Sequence, residues 1–83
     1  DPNAAREHFR AALNYYERTL GLARDMGDPM SEAELLRSIG HVLIDVGYHQ
    51  EAVGFLENAA HIFEQIGDKQ KANQIRSLLS RLS

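Results

Sequence analysis

The chain has 83 residues, no cysteine and a formal net charge of −3 at pH 7, with 43% hydrophobic and 25% charged residues. A chain this short forms at most one small domain, and the lack of cysteine excludes disulfides, thiolate nucleophiles and thiolate zinc sites. The acidic balance argues against nucleic acid, and no apolar stretch approaches the roughly 20 residues that cross a bilayer.

The first predicted helix runs from residue 3 to residue 26. It follows Asp1 and Pro2, a capping residue and a proline at the first helical position, where the missing N–H costs nothing. Gly27 is expected to end it in a left-handed conformation. Apolar residues recur at intervals of three and four, as in an amphipathic helix. This stripe consists of Ala5, Phe9, Ala12, Tyr16, Leu20 and Ala23, widened by Leu13 and Met26.

Three further helices follow the same rules. An Asp-Pro pair opens the second helix, and Gly47 and Gly67 end the second and third. Turns of two or three residues make consecutive helices antiparallel neighbours. The sequence therefore predicts one all-α domain spanning residues 1–83. The three helices are predicted at 30–46, 49–66 and 69–82.

The chain also resembles itself when shifted by about 40 residues. At an offset of 39, the segment AELLRSI (33–39) lies on ANQIRSL (72–78). A period near 40 with two helices per unit predicts a helical solenoid of stacked hairpins. At an offset of 40, the matched pairs are Ala12 with Ala52, Tyr15 with Phe55, Leu22 with Ile62, and Gly27-Asp28 with Gly67-Asp68.

One complete unit carries a recognisable signature of small and large residues. It reads Leu36, Ile39-Gly40, Leu43, Gly47-Tyr48, Ala52, Leu56 and Ala59. This pattern resembles the tetratricopeptide repeat family, in the extended variant of about 40 residues found in kinesin light chain, cell-polarity adaptors and bacterial signalling proteins. Leu36 replaces the usual tryptophan, and Glu64 stands at the place of the late proline. The resemblance implies about two repeats and a protein–protein interaction scaffold.

The resemblance also implies a concave groove that binds a peptide or helix of a partner protein. Arg37 and Arg76 occupy equivalent places, so both could offer forked donors to one carboxylate of an acidic peptide. The alternative is that these arginines are ordinary solubilising residues. A chaperone-tail clamp is not expected, because Arg37 and His41 replace its Lys and Asn. The groove residues implied are Glu34, Arg37, His41, Asp45, Asn73, Arg76 and Ser80.

The two ends of the array differ from its middle. Leu79 stands where the second helix has Gly40, which predicts that the last helix is a capping helix. The first helix lacks a hairpin partner, so a face including Phe9, Leu13 and Leu20 is expected to be partly bare. That face predicts, as an alternative function, self-association as a homodimer or swapped element. A second alternative is an accessory positioning domain of a larger enzyme or regulator. The start without Met suggests the C-terminal fragment of a longer array.

No pattern of catalytic or metal-binding residues is present. There is no HExxH motif, no Gly-rich loop and no nucleophile motif, and no two histidines stand four apart. We therefore expect no enzyme activity, no cofactor and no metal, in a reducing, cytoplasmic setting. The histidines, expected to be ordinary surface residues, are His8, His41, His49 and His61.

Overall fold

A computed structural model describes residues 1–82, which form four α-helices joined by short turns. Ser83, the last residue of the predicted domain, lies outside the described residues. The predicted helix ends differ from those of the structure by at most one residue. The helices are α1 (Pro2–Asp25), α2 (Pro29–Asp45), α3 (His49–Gln65) and α4 (Lys69–Leu82).

All three turns stop the preceding helix in the same way. Gly27, Gly47 and Gly67 have positive φ angles of 65°, 92° and 88°. The next residue then donates its N–H to a carbonyl five residues back, as Asp28 does to Ala23 over 2.9 Å. This pattern satisfies the last carbonyls of the helix and needs a residue that tolerates the left-handed region. Identical turns at all three places explain why the helix ends were readable from the sequence.

Aspartates start three of the four helices. The Asp1 carboxylate accepts a hydrogen bond from the N–H of Asn3 over 3.0 Å, and Asp68 accepts one from the N–H of Lys71 over 3.1 Å. Asp28 accepts bonds from both the N–H and the hydroxyl of Ser31, at 3.2 and 2.6 Å. Each carboxylate satisfies a backbone donor that the first helical turn leaves unpaired.

The cap at α2 makes part of the stability dependent on pH. The hydroxyl of Ser31 and then its N–H donate to Asp28 and lower the pKa of that carboxyl. The pKa of Asp28 in the folded chain is thus below the unfolded value of about 3.9. The stability that its ionised carboxylate adds is therefore complete above about pH 3.9 and is lost as pH falls through the folded pKa.

Asp28→Asn keeps the cap but cannot ionise. Its melting temperature should lie below that of the unmodified chain at pH 7, and the gap should close below about pH 4. Thermal unfolding followed by circular dichroism from pH 7 to pH 2.5 tests this, and a constant gap would contradict it.

The helices form a flat row, with each helix packed mainly on its neighbours in chain order. The described chain measures 43 × 32 × 15 Å, which is the shape of stacked hairpins and not of a closed bundle. The predicted all-α stack of antiparallel helical hairpins is confirmed. One core runs through it, made of Leu20, Ala33, Leu36, Ile39, Leu43, Ala52, Leu56, Ala59, Ala60, Phe63, Ala72 and Ile75.

Helices α2 and α3 approach each other closely at Gly40. A Cβ atom placed on Gly40 would lie 2.6 Å from both Cγ and Cδ2 of Leu56, which is fully buried. Glycine is therefore required here for a close helix contact, because the surrounding side chains leave no room for a methyl group.

The first helix is covered differently from the prediction. Leu20, which belongs to the face expected to be partly bare, is only 6% exposed because it packs into the shared core, and Phe9 and Leu13 are half-buried against that core. The Phe9 ring also lies 5.9 Å from the ring of Tyr48, measured between centroids. The prediction of a bare face made of these residues is wrong for Leu20, since α1 turns that side towards α2.

A candidate peptide-binding cleft between α2 and α4

A cleft of about 220 Å³ lies between α2 and α4. Two apolar side chains from α4 lie beside two arginines and one histidine in its lining. Such a surface combines apolar contact with positive charge, which suits a peptide that carries a carboxylate beside an apolar side chain. The lining residues are Arg37, His41, Gln74, Ile75, Leu78 and Arg81.

Packing on an aromatic ring helps to hold Arg37 in place. Its guanidinium carbon lies 5.6 Å from the centre of the ring of Phe63, which is fully buried. This cation–π contact favours one position of a long side chain without using its hydrogen-bond donors. Among residues 1–82, no carboxylate pairs with Arg37 or with Arg81 on the same cleft. Both guanidinium groups therefore keep donors available for a ligand.

Other cations near the core are already paired with carboxylates of the chain. Nζ of Lys71 lies 3.1 Å from Oε1 of Glu34, which joins α4 to α2, and it also lies 5.5 Å from the centre of the Phe63 ring. Nη2 of Arg76 lies 2.9 Å from Oε1 of Glu64. Glu34, predicted for the groove, therefore has a partner within the fold, and its charge is partly neutralised there.

The structure separates the two arginines that were predicted to act together. Arg76 and Ser80 line a second cleft of about 480 Å³, with Glu57 and Leu79, on the other side of α4. Equivalent positions of successive repeats face successive clefts, because each repeat is displaced along the stack. The prediction that Arg37 and Arg76 share one carboxylate is therefore corrected: Arg81 is the arginine that lies across the cleft from Arg37.

The remaining predicted groove residues do not line the cleft with Arg37. Asp45 and Asn73 are exposed and belong to neither of the two clefts. Residues that were missed include Gln74, Leu78 and Arg81, which stand at spacings of four and three and so share one face of α4. That spacing was visible in the sequence. The sequence did not show that this face of α4 is directed towards α2.

The part of the chain that the structure describes contains no group of three His, Asp or Glu side chains placed to hold a metal ion. The four histidines are all exposed, and residues 1–82 include no buried polar or charged side chain. In the same residues, no helix combines the length and the apolar character needed to cross a membrane. The clefts beside α4 are thus surfaces that a ligand could contact.

Comparison with known proteins identifies the repeat. Residues 4–30 match the family model described as Tetratricopeptide repeat. This segment covers most of α1 and its turn into α2, whereas the signature seen in the sequence lies further on, from Leu36 to Ala59. No curated protein and no solved structure matches the chain. Residues 4–30 are therefore similar to a tetratricopeptide repeat, and the four helices of the described residues form a stack of hairpins. Such repeats are generally non-enzymatic modules for protein–protein interaction.

Proposed function

We propose that this chain is an interaction scaffold whose α2–α4 cleft binds an acidic peptide of a partner protein. The observation that carries the proposal is the pair Arg37 and Arg81, which line one cleft and have no carboxylate partner within residues 1–82. Guanidinium groups form forked hydrogen bonds with carboxylates, and the half-buried Leu78 in the same lining offers apolar contact. The favoured peptide has a Leu or Ile flanked by Asp or Glu.

A peptide fits this cleft better than a small substrate does. Its volume of about 220 Å³ lies below the roughly 300–1,000 Å³ that is usual for small-molecule sites. A shallow cleft between helices suits one or two side chains of an extended chain instead. The proposal includes no cofactor, no nucleic acid and no catalysis. A cytoplasmic location is part of it, supported by the cysteine-free composition.

The first test replaces both cleft arginines. Arg37→Gln with Arg81→Gln should weaken the binding of a fluorescent peptide with a central Leu flanked by Glu at least about tenfold, since charged hydrogen bonds are lost. Fluorescence anisotropy at low and high salt measures this, and the loss should shrink at high salt because screening weakens the unmodified site.

Arg76→Gln supplies a matched control. Compared with Arg81→Gln alone, it removes the same charge from the same helix, but Arg76 lies on the other cleft and pairs with Glu64. Binding should remain unchanged in this variant. An equal loss from Arg76→Gln would mean that net charge alone attracts the peptide, and the cleft would then be rejected as the site. A peptide with Gln in place of Glu should bind weakly to all variants.

A further inference from the structure

The charge of the α2–α4 cleft is opposite to that of the chain as a whole. The chain has a formal net charge of −3, with 12 acidic and 9 basic residues. The cleft lining nevertheless contains Arg37, His41 and Arg81 and no aspartate or glutamate. On α2, Glu34 is paired with a lysine of α4, and Asp45 lies outside the lining. Positive charge concentrated in this way favours a ligand with a high negative charge.

The hydrogen-bond donors of the lining come from both helices. Arg37 and His41 lie one turn apart on α2, whereas Gln74 and Arg81 lie on α4. Each guanidinium group has five N–H donors in one plane, and the amide and the imidazole add further donors. Neither arginine pairs with a carboxylate within residues 1–82. A ligand in the cleft therefore meets two free guanidinium forks that start from different helices.

A single carboxylate uses only part of this donor set. It is planar, it carries one negative charge, and one guanidinium fork occupies both of its oxygens. A phosphorylated side chain carries a charge of about −1.5 to −2 at pH 7 and has three strong acceptor oxygens. These oxygens point in different directions, so two arginines from different helices can bind one phosphate, as arginine clusters do in phosphopeptide recognition.

The cleft on the other side of α4 has the opposite character. Arg76 stands at the position equivalent to Arg37, but it is paired with Glu64. Glu57 belongs to the lining of that cleft as well. Both carboxylates would repel a phosphate, so the equivalent position is unsuited to one. The free guanidinium forks are thus a property of the α2–α4 cleft and not of the repeat position.

We infer that the anionic group bound by the α2–α4 cleft is a phosphorylated serine or threonine of the partner peptide. This inference rests on the proposed function, since it names the group that the same cleft takes from the same peptide. The half-buried Leu78 offers apolar contact to a neighbouring residue of the peptide, which free phosphate lacks. The net charge of −3 disfavours an anionic membrane or a nucleic acid, which extended basic surfaces attract.

The test compares four fluorescent peptides of one sequence, each with a central leucine beside a variable position. That position holds phosphoserine, serine, glutamate, or two glutamates in succession, which match the charge of the phosphate. The phosphoserine peptide should bind at least about tenfold tighter than either glutamate peptide, because its three oxygens use donors from both helices. Fluorescence anisotropy at about pH 7.5, where the phosphate is close to doubly charged, measures the four affinities.

The preference for phosphoserine over glutamate should depend on both cleft arginines. Arg37→Gln with Arg81→Gln should reduce the ratio of the two affinities to about twofold or less, whereas Arg76→Gln should leave the ratio unchanged. Arg81→Gln alone changes an exposed residue in the last turn of α4, so the fold should be preserved. Circular dichroism melting curves check this.

Lysine variants separate the guanidinium forks from the charge. Arg37→Lys with Arg81→Lys keeps both positive charges but loses the planar forks, so most of the preference for phosphoserine should be lost. The double-glutamate peptide should bind this variant nearly as well as it binds the unmodified chain, since charge attraction remains.

Several results would overturn the inference and leave the proposed function standing. One is equal affinity for the phosphoserine and double-glutamate peptides, and another is a phosphoserine preference that survives Arg37→Gln with Arg81→Gln. Displacement of the phosphoserine peptide by an equal concentration of inorganic phosphate would mean a site for the free ion. Flotation of the chain with vesicles of phosphatidylcholine and phosphatidylserine, lost in the same double variant, would make a membrane the ligand. If none of the four peptides binds, the proposed function fails together with the inference.

Discussion

Replacing Gly40 by alanine should destabilise the chain by about 1–3 kcal/mol, and replacing it by leucine should cost more, because added volume in a packed core forces side chains and backbone to shift. The new Cβ would lie 2.6 Å from two carbon atoms of Leu56, which is itself fully buried and cannot move aside into solvent. Alanine otherwise favours helices over glycine by about 1 kcal/mol. The steric cost must therefore exceed this gain.

Gly21 and Gly54 are the controls for this experiment. Both lie within helices, and a Cβ on either would meet nothing within 4 Å. Alanine at these positions should stabilise the chain by about 0.5–1 kcal/mol, through helix propensity alone. Urea unfolding followed by circular dichroism gives all three free energies of unfolding. If Gly40→Ala is stabilising to the same degree, α2 and α3 do not approach as closely as the structure places them.

Phe63→Ala should lower the free energy of unfolding by about 3–5 kcal/mol, as is usual for the loss of a buried aromatic side chain. Phe63 is fully buried in the core shared by the helices. An 83-residue chain has a total stability of about 4–12 kcal/mol at the usual 0.05–0.15 kcal/mol per residue. The variant should therefore be close to unfolding at 37 °C, and urea denaturation at 15 °C is the appropriate measurement.

Phe63→Leu separates the packing role of this residue from its role beneath the cleft. Leucine keeps much of the apolar volume and should cost less than alanine, but it offers no ring to Arg37 or Lys71. The proposed acidic peptide should then bind more weakly even though the chain stays folded, because Arg37 loses a cation–π contact of about 0.5–1 kcal/mol. Unchanged peptide affinity in Phe63→Leu would show that the ring does not position Arg37.

The residues of the candidate site could be predicted from the sequence only in part. Arg37 and His41 were predicted for the groove, and both line the cleft. Arg76 was predicted with them because it is the counterpart of Arg37, but counterparts in a stack face successive clefts. The residue across the cleft from Arg37 is Arg81, which has no special place in the signature. Arg81 could be assigned to the cleft only once the structure showed how α4 is rotated about its own axis.

Local signals in the sequence determined the number of helices, their ends and their antiparallel order. Aspartate caps and glycine stops act within five or six residues, so their effect does not depend on the rest of the fold. Only the tertiary structure decided which sides of the helices are covered. Leu20 is buried and Leu22 is exposed, although both belong to apolar positions of α1. The reason is physical: burial depends on where the neighbouring helix lies, and that is set by the packing of all four helices together.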